Sequence, residues 1–248
     1  MNDTRKRRPT LQDIADLTGV TKMTVSRYLR DPSAVAEGTR ERIAAAVEEL
    51  GYIPNRAPDM LSNATSKAIG ILIPSLSNQV FSAVIHGIEA VTRPAGYQTL
   101  LAHYGYSPER EEEQVASLLS YNVDGLILSD TQHTERTRKM IATAGIPVVE
   151  TMDLPLSPID MVVGMDHRAA ARAMVTEMLR RGRRKVVYLG ARLDVRTQLR
   201  MEGYYQAMAD FGLDGQHLLT EQSSSFTLGG QLLEQAMARY PDLDGLFC

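Results

Sequence analysis

Apolar and polar positions along this chain follow two different periods. From residue 10 to residue 50 the spacing is helical. Thr10 stands before Leu11-Gln12-Asp13-Ile14-Ala15-Asp16-Leu17, a placement that suits an N-cap with Asp13 three residues on. Gly19 supplies a turn, and Thr21 caps a second predicted helix, Lys22 to Arg30, which stops before Asp31-Pro32. A third predicted helix runs from Thr39 to Leu50 with Ile43, Val47 and Leu50 on one face and Gly51 at its C-cap. After residue 66 short apolar runs alternate with longer amphipathic ones. Strands are expected at Ala68–Ile73, Gln98–Ala102, Gly125–Leu128, Pro147–Glu150, Met161–Val163, Val186–Leu189 and Leu243–Phe247. Helices are expected near 79–92, 108–120, 134–143, 167–181, 196–211 and 228–239. That alternation implies a parallel sheet covered by helices, with ligands held beyond the carboxyl ends of the strands. The loops 74–79, 129–132, 150–153 and 190–196 are therefore the expected pocket wall.

Charge separates the two regions. The 248 residues sum to −3, yet residues 1–30 carry seven basic and three acidic side chains, a +4 head on a −7 body. Such an asymmetry points to a nucleic-acid-binding end. A helical wheel of the second helix places Val25, Tyr28 and Leu29 inward and Lys22, Met23, Ser26, Arg27 and Arg30 outward, with no acid on the outer arc. That face can neutralise phosphates and reach base edges in a major groove. Helix, short glycine turn, helix is the layout of a helix-turn-helix reader. The acidic run Glu109, Glu111, Glu112, Glu113 reads as a solvated helix face.

Several classes are excluded or disfavoured. Cys248 is the only cysteine, so no intrachain disulfide and no all-cysteine metal site can form. The longest apolar run, near Ala68 to Pro74, is far short of the roughly 20 residues of a membrane span. The charged segment Met1 to Arg8 is not followed by an apolar stretch, so a cytoplasmic protein is expected rather than a secreted one. No phosphate loop, dinucleotide fingerprint, zinc-protease motif or nucleophile elbow is present. His86, His103, His133, His167 and His217 show no metal-ligand spacing, and no cofactor or metal is implied.

The segment Leu11 to Leu29 (LQDIADLTGVTKMTVSRYL) resembles the head of the lactose-repressor (LacI) family, and Leu50-Gly51-Tyr52-Ile53-Pro54-Asn55-Arg56 resembles its link into a hinge helix. Ile69-Gly70-Ile71-Leu72-Ile73-Pro74, Asp124-Gly125-Leu126-Ile127 and Arg200-Met201-Glu202-Gly203-Tyr204 extend the likeness over essentially the whole chain. Within the family the wording is most similar to gluconate-operon repressors, on Val20–Arg27, Tyr52–Ala68 and Gly96–Pro108. The resemblance implies a helix-turn-helix domain (1–55), a hinge helix and linker (56–66) and a two-lobed body like periplasmic sugar-binding proteins (67–165 and 166–248). It implies a dimer on an inverted-repeat operator. Lys22, Met23 and Arg27 would contact bases, Thr10, Thr21, Thr24, Ser26 and Asn55 the backbone, and Leu61 the minor groove.

Two positions depart from the family pattern. Ala36 replaces a capping serine, so the third helix is expected to fray at its start, and Pro58 moves the expected start of the hinge helix to Ala57. The chain ends midway along what reads as a strand, where relatives continue, and the expectation is a cut edge at Cys248.

For the effector, the resemblance implies Asn78, Phe81, Ser129 and Arg200, with Glu150, Asp153, Asp166 and His167 behind them. The residues add Arg192 and Arg196, which recur with Arg200 every four positions and favour an acidic or phosphorylated sugar over a neutral one. The alternative for Arg192 and Arg196 is surface pairing with acids such as Asp194 and Glu202. The expected function is a repressor released by a sugar acid, gluconate first and a ketogluconate or phosphosugar second. The competing class, a sugar-acid enzyme with a DNA-binding head, lacks a catalytic constellation in this sequence.

Overall fold

A computed structural model describes residues 7–55 and 65–248. The chain divides into two compact units, residues 1–66 and 67–248. The first holds α1 (Leu11–Thr18), α2 (Lys22–Arg30), a 3-10 turn (Pro32–Ala34) and α3 (Glu37–Leu50). The expected capping box at α1 is formed. The Thr10 amide donates to Asp13 Oδ2 at 2.7 Å, and the Asp13 amide donates back to Thr10 Oγ1. Gly19 follows in the left-handed conformation (φ 65°), which lets the chain turn from α1 into α2. Ile14, Ala15, Val25, Ile43 and Ala46 form the core, with Tyr28, Leu29, Val47 and Leu50 packed around it. α3 begins at Glu37, two residues ahead of expectation, and its first turn is formed. The side chain of Ala36 makes no cap, but its carbonyl accepts from the amides of Thr39 and Arg40 at 3.0 and 2.9 Å, and Glu37 suits the positive end of the helix.

The second unit contains two parallel sheets. Strands β1 (Ala68–Ile73), β2 (Gln98–His103), β3 (Gly125–Leu128), β4 (Val148–Met152) and β5 (Met161–Gly164) lie in the order β2-β1-β3-β4-β5. Strands β6 (Val186–Ala191), β7 (Gln216–Thr220) and β8 (Gly245–Phe247) lie in the order β7-β6-β8. Helices α4 (Gln79–Thr92), α5 (Pro108–Ser120), α6 (Glu135–Ala144), α7 (His167–Arg180), α8 (Val195–Asp210) and α9 (Phe226–Arg239) connect them. Strand β7 is a correction to the sequence reading. Its first two residues, Gln216 and His217, are polar and exposed, as an edge position permits. The Tyr204 hydroxyl accepts from the Gln216 amide at 2.7 Å and fixes where the strand begins.

The first sheet packs Leu72, Leu126, Leu128 and Val148 against Val115, Leu118 and Ile141 on one side. On the other, Ile71 and Ile73 meet Phe81. In the second core Tyr188 stacks on Tyr204, with ring centroids 5.7 Å apart, among Val175, Leu179, Val186 and Met208. α7 and α8 lie backbone to backbone at Gly203, where a Cβ would fall 2.2 Å from the Arg168 carbonyl oxygen. The pairs Arg168–Glu202 and Arg172–Asp210 hold the same contact from the surface. This close packing sets Arg196 and Arg200 of α8 beside the start of α7. Among the described residues no helix is long and apolar enough to cross a membrane.

Candidate nucleic-acid interface and effector cleft

On α2 the buried arc is Val25 with the half-buried Tyr28 and Leu29, as the wheel required. Lys22, Met23, Arg27 and Arg30 are exposed, Met23 by 72%, and none of the three cations is in an ion pair among the described residues. Thr21 caps α2, accepting from the Thr24 amide at 3.2 Å, and its hydroxyl lies 3.0 Å from that of Thr24. Ser26 is half-buried on the next turn. A groove of about 1060 Å³ brings together Arg7, Arg8, Thr10, Lys22, Tyr52 and Asn55. It gathers Arg7, Arg8 and Lys22 at the start of α1, with Arg7 3.4 Å from the capping Asp13, a cationic patch of the kind an anionic backbone requires. Leu61, the expected hinge start at Ala57, Arg5 and Lys6 lie outside the described residues.

In the second unit the carboxyl ends of the strands open on two cavities. The larger, of about 900 Å³, is lined by Ser75, Ser77 and Asn78 after β1, Tyr106 after β2, Arg192 after β6, and Ser223, Ser224, Ser225 and Phe226 after β7. The smaller, of about 250 Å³, is lined by Tyr104, Asp130, Gln132, Asp153, Asp194 and Arg196. Tyr106 and Arg192 face both. Ser75, Ser77, Asn78, Gln79 and Ser223 to Ser225 bring hydroxyls and amides to the larger wall among apolar groups such as Val80 and Phe226, chemistry suited to a polyol, and Arg192 adds a cation.

The smaller cavity is floored by a chain of hydrogen bonds. Arg196 Nε donates to Asp153 Oδ1 and Oδ2 at 2.9 and 2.8 Å, and Nη2 donates to the Ser129 carbonyl at 2.6 Å. His167 Nε2 lies 2.9 Å from Asp153 Oδ1, and His167 Nδ1 accepts from Arg200 Nε at 3.3 Å. Burial opposes the charge on Asp153, but the hydrogen bonds of His167 and Arg196 outweigh it and hold the carboxyl below its ordinary value. Arg196 is held above its ordinary value because Asp153 outweighs the cost of its burial. Arg192 Nε bonds Asp194 Oδ2 at 3.0 Å, while Glu202 is taken by Arg168 and pairs with none of the three arginines.

The expected effector residues separate by position. Asn78 lines the larger cavity and caps α4 through the Val80 amide. Phe81, one turn later, is 2% exposed and belongs to the core with Ile71 and Ile73. Ser129 is fully buried beside Arg196, and its Oγ has no hydrogen-bond partner among the described residues. Asp166 is exposed and caps α7 through the Ala169 amide. Asp153, His167, Arg196 and Arg200 come together in the chain just described. Arg200 lines neither cavity.

Glu150 lies inside, as does Glu111, which overturns the reading of residues 109–113 as a solvated face. Glu111 is wholly buried with its Oε2 2.8 Å from His133 Nδ1, and His133 Nε2 faces Glu150 Oε1 at 3.3 Å. Glu150 Oε2 accepts from the Ile159 amide at 2.6 Å. Glu112 is engaged as well, by Thr134 and Arg136. This cluster pins the loop that carries Ser129 and Asp130 to α5 and β4.

Sequence reasoning placed Ser75 and Ser77 on an expected pocket loop but missed Tyr106, Phe226 and Ser223 to Ser225. The run Ser223-Ser224-Ser225 follows β7, so recognising that strand would have marked it as a pocket loop.

A helix-turn-helix unit with an acid-free recognition face, joined to an α/β body with a hydroxyl- and arginine-lined cleft, defines the effector-responsive transcriptional regulators as the class. The description "Bacterial regulatory proteins, lacI family" matches residues 10–55, and "Periplasmic binding proteins and sugar binding domain of LacI family" matches residues 66–248. The chain belongs to the LacI family. It is 59% identical over 244 residues to the HTH-type transcriptional regulator GntR of Escherichia coli K12, covering 98% of this chain and 74% of that one. Among solved structures it is similar to a LacI-family regulator from Silicibacter pomeroyi (36% identity, TM-score 0.87, 96% of this chain and 72% of that one). It is also similar to the lac repressor dimer bound to operator and an anti-inducer (25% identity, TM-score 0.75, 93% and 71%). These relatives are regulators, and the protein is a regulator rather than an enzyme.

Proposed function

We propose that the protein is a cytoplasmic transcriptional repressor that binds an inverted-repeat operator as a homodimer and is released by gluconate. The observation that carries the reading is the union in one chain of an exposed, acid-free face on α2 with a cleft that serine hydroxyls and an arginine help to line. The likeness to GntR and to an operator-bound repressor dimer supports it. Residues 1–55 read DNA, 56–66 form the hinge, and 67–165 and 166–248 form the effector lobes. Lys22, Met23 and Arg27 take base edges, where a bidentate arginine–guanine pair discriminates by about 1–3 kcal/mol. Thr10, Thr21, Thr24, Ser26 and Asn55 hold the phosphate backbone, and Leu61 enters the minor groove. Asn78 and Arg196 line the cavities and meet the effector directly, while Asp153 holds Arg196 in place and Arg200 acts through His167. Ser129 and His167 orient them, Asp166 holds the start of α7, and Phe81 and Glu150 support the walls from within.

Effector binding closes the lobes, shifts the hinge segments and lowers operator affinity. A dianionic phosphosugar is the weaker reading, because Asp130, Asp153 and Asp194 stand beside the arginines and offset much of their charge. Electrophoretic mobility shifts with the protein's own promoter test the proposal. Sequence-specific retention that gluconate abolishes is the expected result, and absence of specific retention would sink it. Arg27→Ala is expected to cost about 1–3 kcal/mol and to relax base preference. Arg8→Ala is expected to lower the salt slope by roughly one unit while leaving sequence preference intact.

A further inference from the structure

We infer that Arg192, stacked on Tyr106, is the residue that selects a singly charged carboxylate effector. This inference rests on the effector reading above. Arg192 stands between β6 and α8, and Tyr106 stands between β2 and α5, so the pair joins loops from the two sheets. The guanidinium carbon lies 3.9 Å from the ring centroid, close enough for strong cation–π attraction. Its Nε is held by Asp194 Oδ2 at 3.0 Å. Those two contacts fix the plane of the guanidinium, and neither Nη makes a hydrogen bond among the described residues.

The other two arginines are differently placed. Arg196 spends Nε and Nη2 on Asp153 and the Ser129 carbonyl, and Arg200 donates to His167. Only Arg192 of the three lines the larger cavity. It therefore offers an oriented pair of donors to the hydroxyl-lined chamber, the geometry that matches a carboxylate.

The backbone on both sides of the stack is strained. Tyr106 (φ 63°), Arg192 (φ 69°) and Leu193 (φ 51°) are non-glycine residues in the left-handed region. Such conformations persist where the surrounding structure needs the side chain in one place. Here the result is a partition shared by both cavities. On its far side Asp130, Asp153 and Asp194 repel a second negative charge. Serine hydroxyls and Asn78 suit the remaining carbons of a polyhydroxy acid.

Calorimetry on the full chain with gluconate and with glucitol, the neutral alcohol of the same carbon number, separates charge selection from polyol binding. Wild type is expected to prefer gluconate. Arg192→Gln is expected to weaken gluconate binding by roughly 10- to 100-fold and to leave glucitol within about threefold, since one charge-assisted pair is lost. Tyr106→Leu, which removes the stack and keeps the charge, is expected to lower the gluconate-to-glucitol ratio by a smaller factor, and Tyr106→Phe to preserve it. Circular dichroism and retained glucitol binding report an intact fold. A wild-type ratio in both Arg192→Gln and Tyr106→Leu overturns this inference alone. Absence of gluconate binding by wild type overturns the effector reading and this inference with it.

Discussion

His133 is held between two buried carboxylates. Its Nδ1 lies 2.8 Å from Glu111 and its Nε2 3.3 Å from Glu150, so both ring nitrogens face acceptors. Burial opposes charge on the imidazole, but the hydrogen bond and field of Glu111 and the field of Glu150 outweigh it. Its pKa is raised above the ordinary 6.5. Glu111 is raised too, by burial first, so the cluster keeps a proton that separated groups would release. A raised folded pKa stabilises below the unfolded value and loses its contribution as pH rises through the folded one. Stability is therefore expected to fall as pH climbs, above 4.5 through Glu111 and above 6.5 through His133. Asp153 is shifted the other way, so its contribution is present above 3.8 and is lost as pH falls through its lower folded value. Replacing His133 with Asn leaves two buried carboxylates without a cation and is expected to cost about 3–5 kcal/mol. It should also flatten the alkaline limb. Urea denaturation across the pH range checks both. The sequence showed Glu111 as one of four acids on an amphipathic helix. Nothing local distinguished it, because its partners come from a loop and a strand distant in sequence.

Elements were legible where a local signal fixed them. Thr10 with Asp13, Thr21 with Thr24, and the left-handed Gly19 and Gly51 each mark a helix end within a few residues, and the structure places the ends there. Central strands such as β1 and β3 were legible as continuous apolar runs, since both faces are covered. β7 was not, because an edge strand held partly by the Tyr204 hydroxyl needs no apolar run of its own. That omission also hid Ser223 to Ser225 of the larger cavity. α3 tests the same reasoning by mutation. Its N-cap Ala36 has extended backbone (ψ 144°) and makes no side-chain bond. Ala36→Ser supplies the missing acceptor to the first turn and is expected to stabilise the first unit by about 1 kcal/mol. Thr10→Ala removes a formed cap and is expected to cost about the same. Thermal unfolding followed by circular dichroism reads both.

At the scale of the whole molecule the question is how a small anion generates enough free energy to change operator occupancy. Moving a two-state equilibrium from 1:99 to 99:1 needs roughly 5.5 kcal/mol of differential affinity. A single charge-assisted hydrogen-bonded contact contributes about 1.5–3 kcal/mol, so one arginine is not enough. Contacts between the loops of the two sheets that already favour closure lessen the shift the effector has to drive. The structure contains one: Arg196 of α8 reaches Asp153 beyond β4 and the Ser129 carbonyl beyond β3, with both side chains mostly buried. If this bridge shares the work of closure, it must be energetically coupled before effector binds. A double-mutant cycle on Asp153→Asn and Arg196→Gln in effector-free protein is then expected to show an interaction of about 1–3 kcal/mol, against near zero for independent sites. Asp153→Asn should also move the gluconate midpoint for operator release upward by about tenfold, because closure must then be driven by the effector alone. Additive unfolding energies together with an unmoved midpoint would show that the bridge is incidental and that closure is carried elsewhere in the cleft.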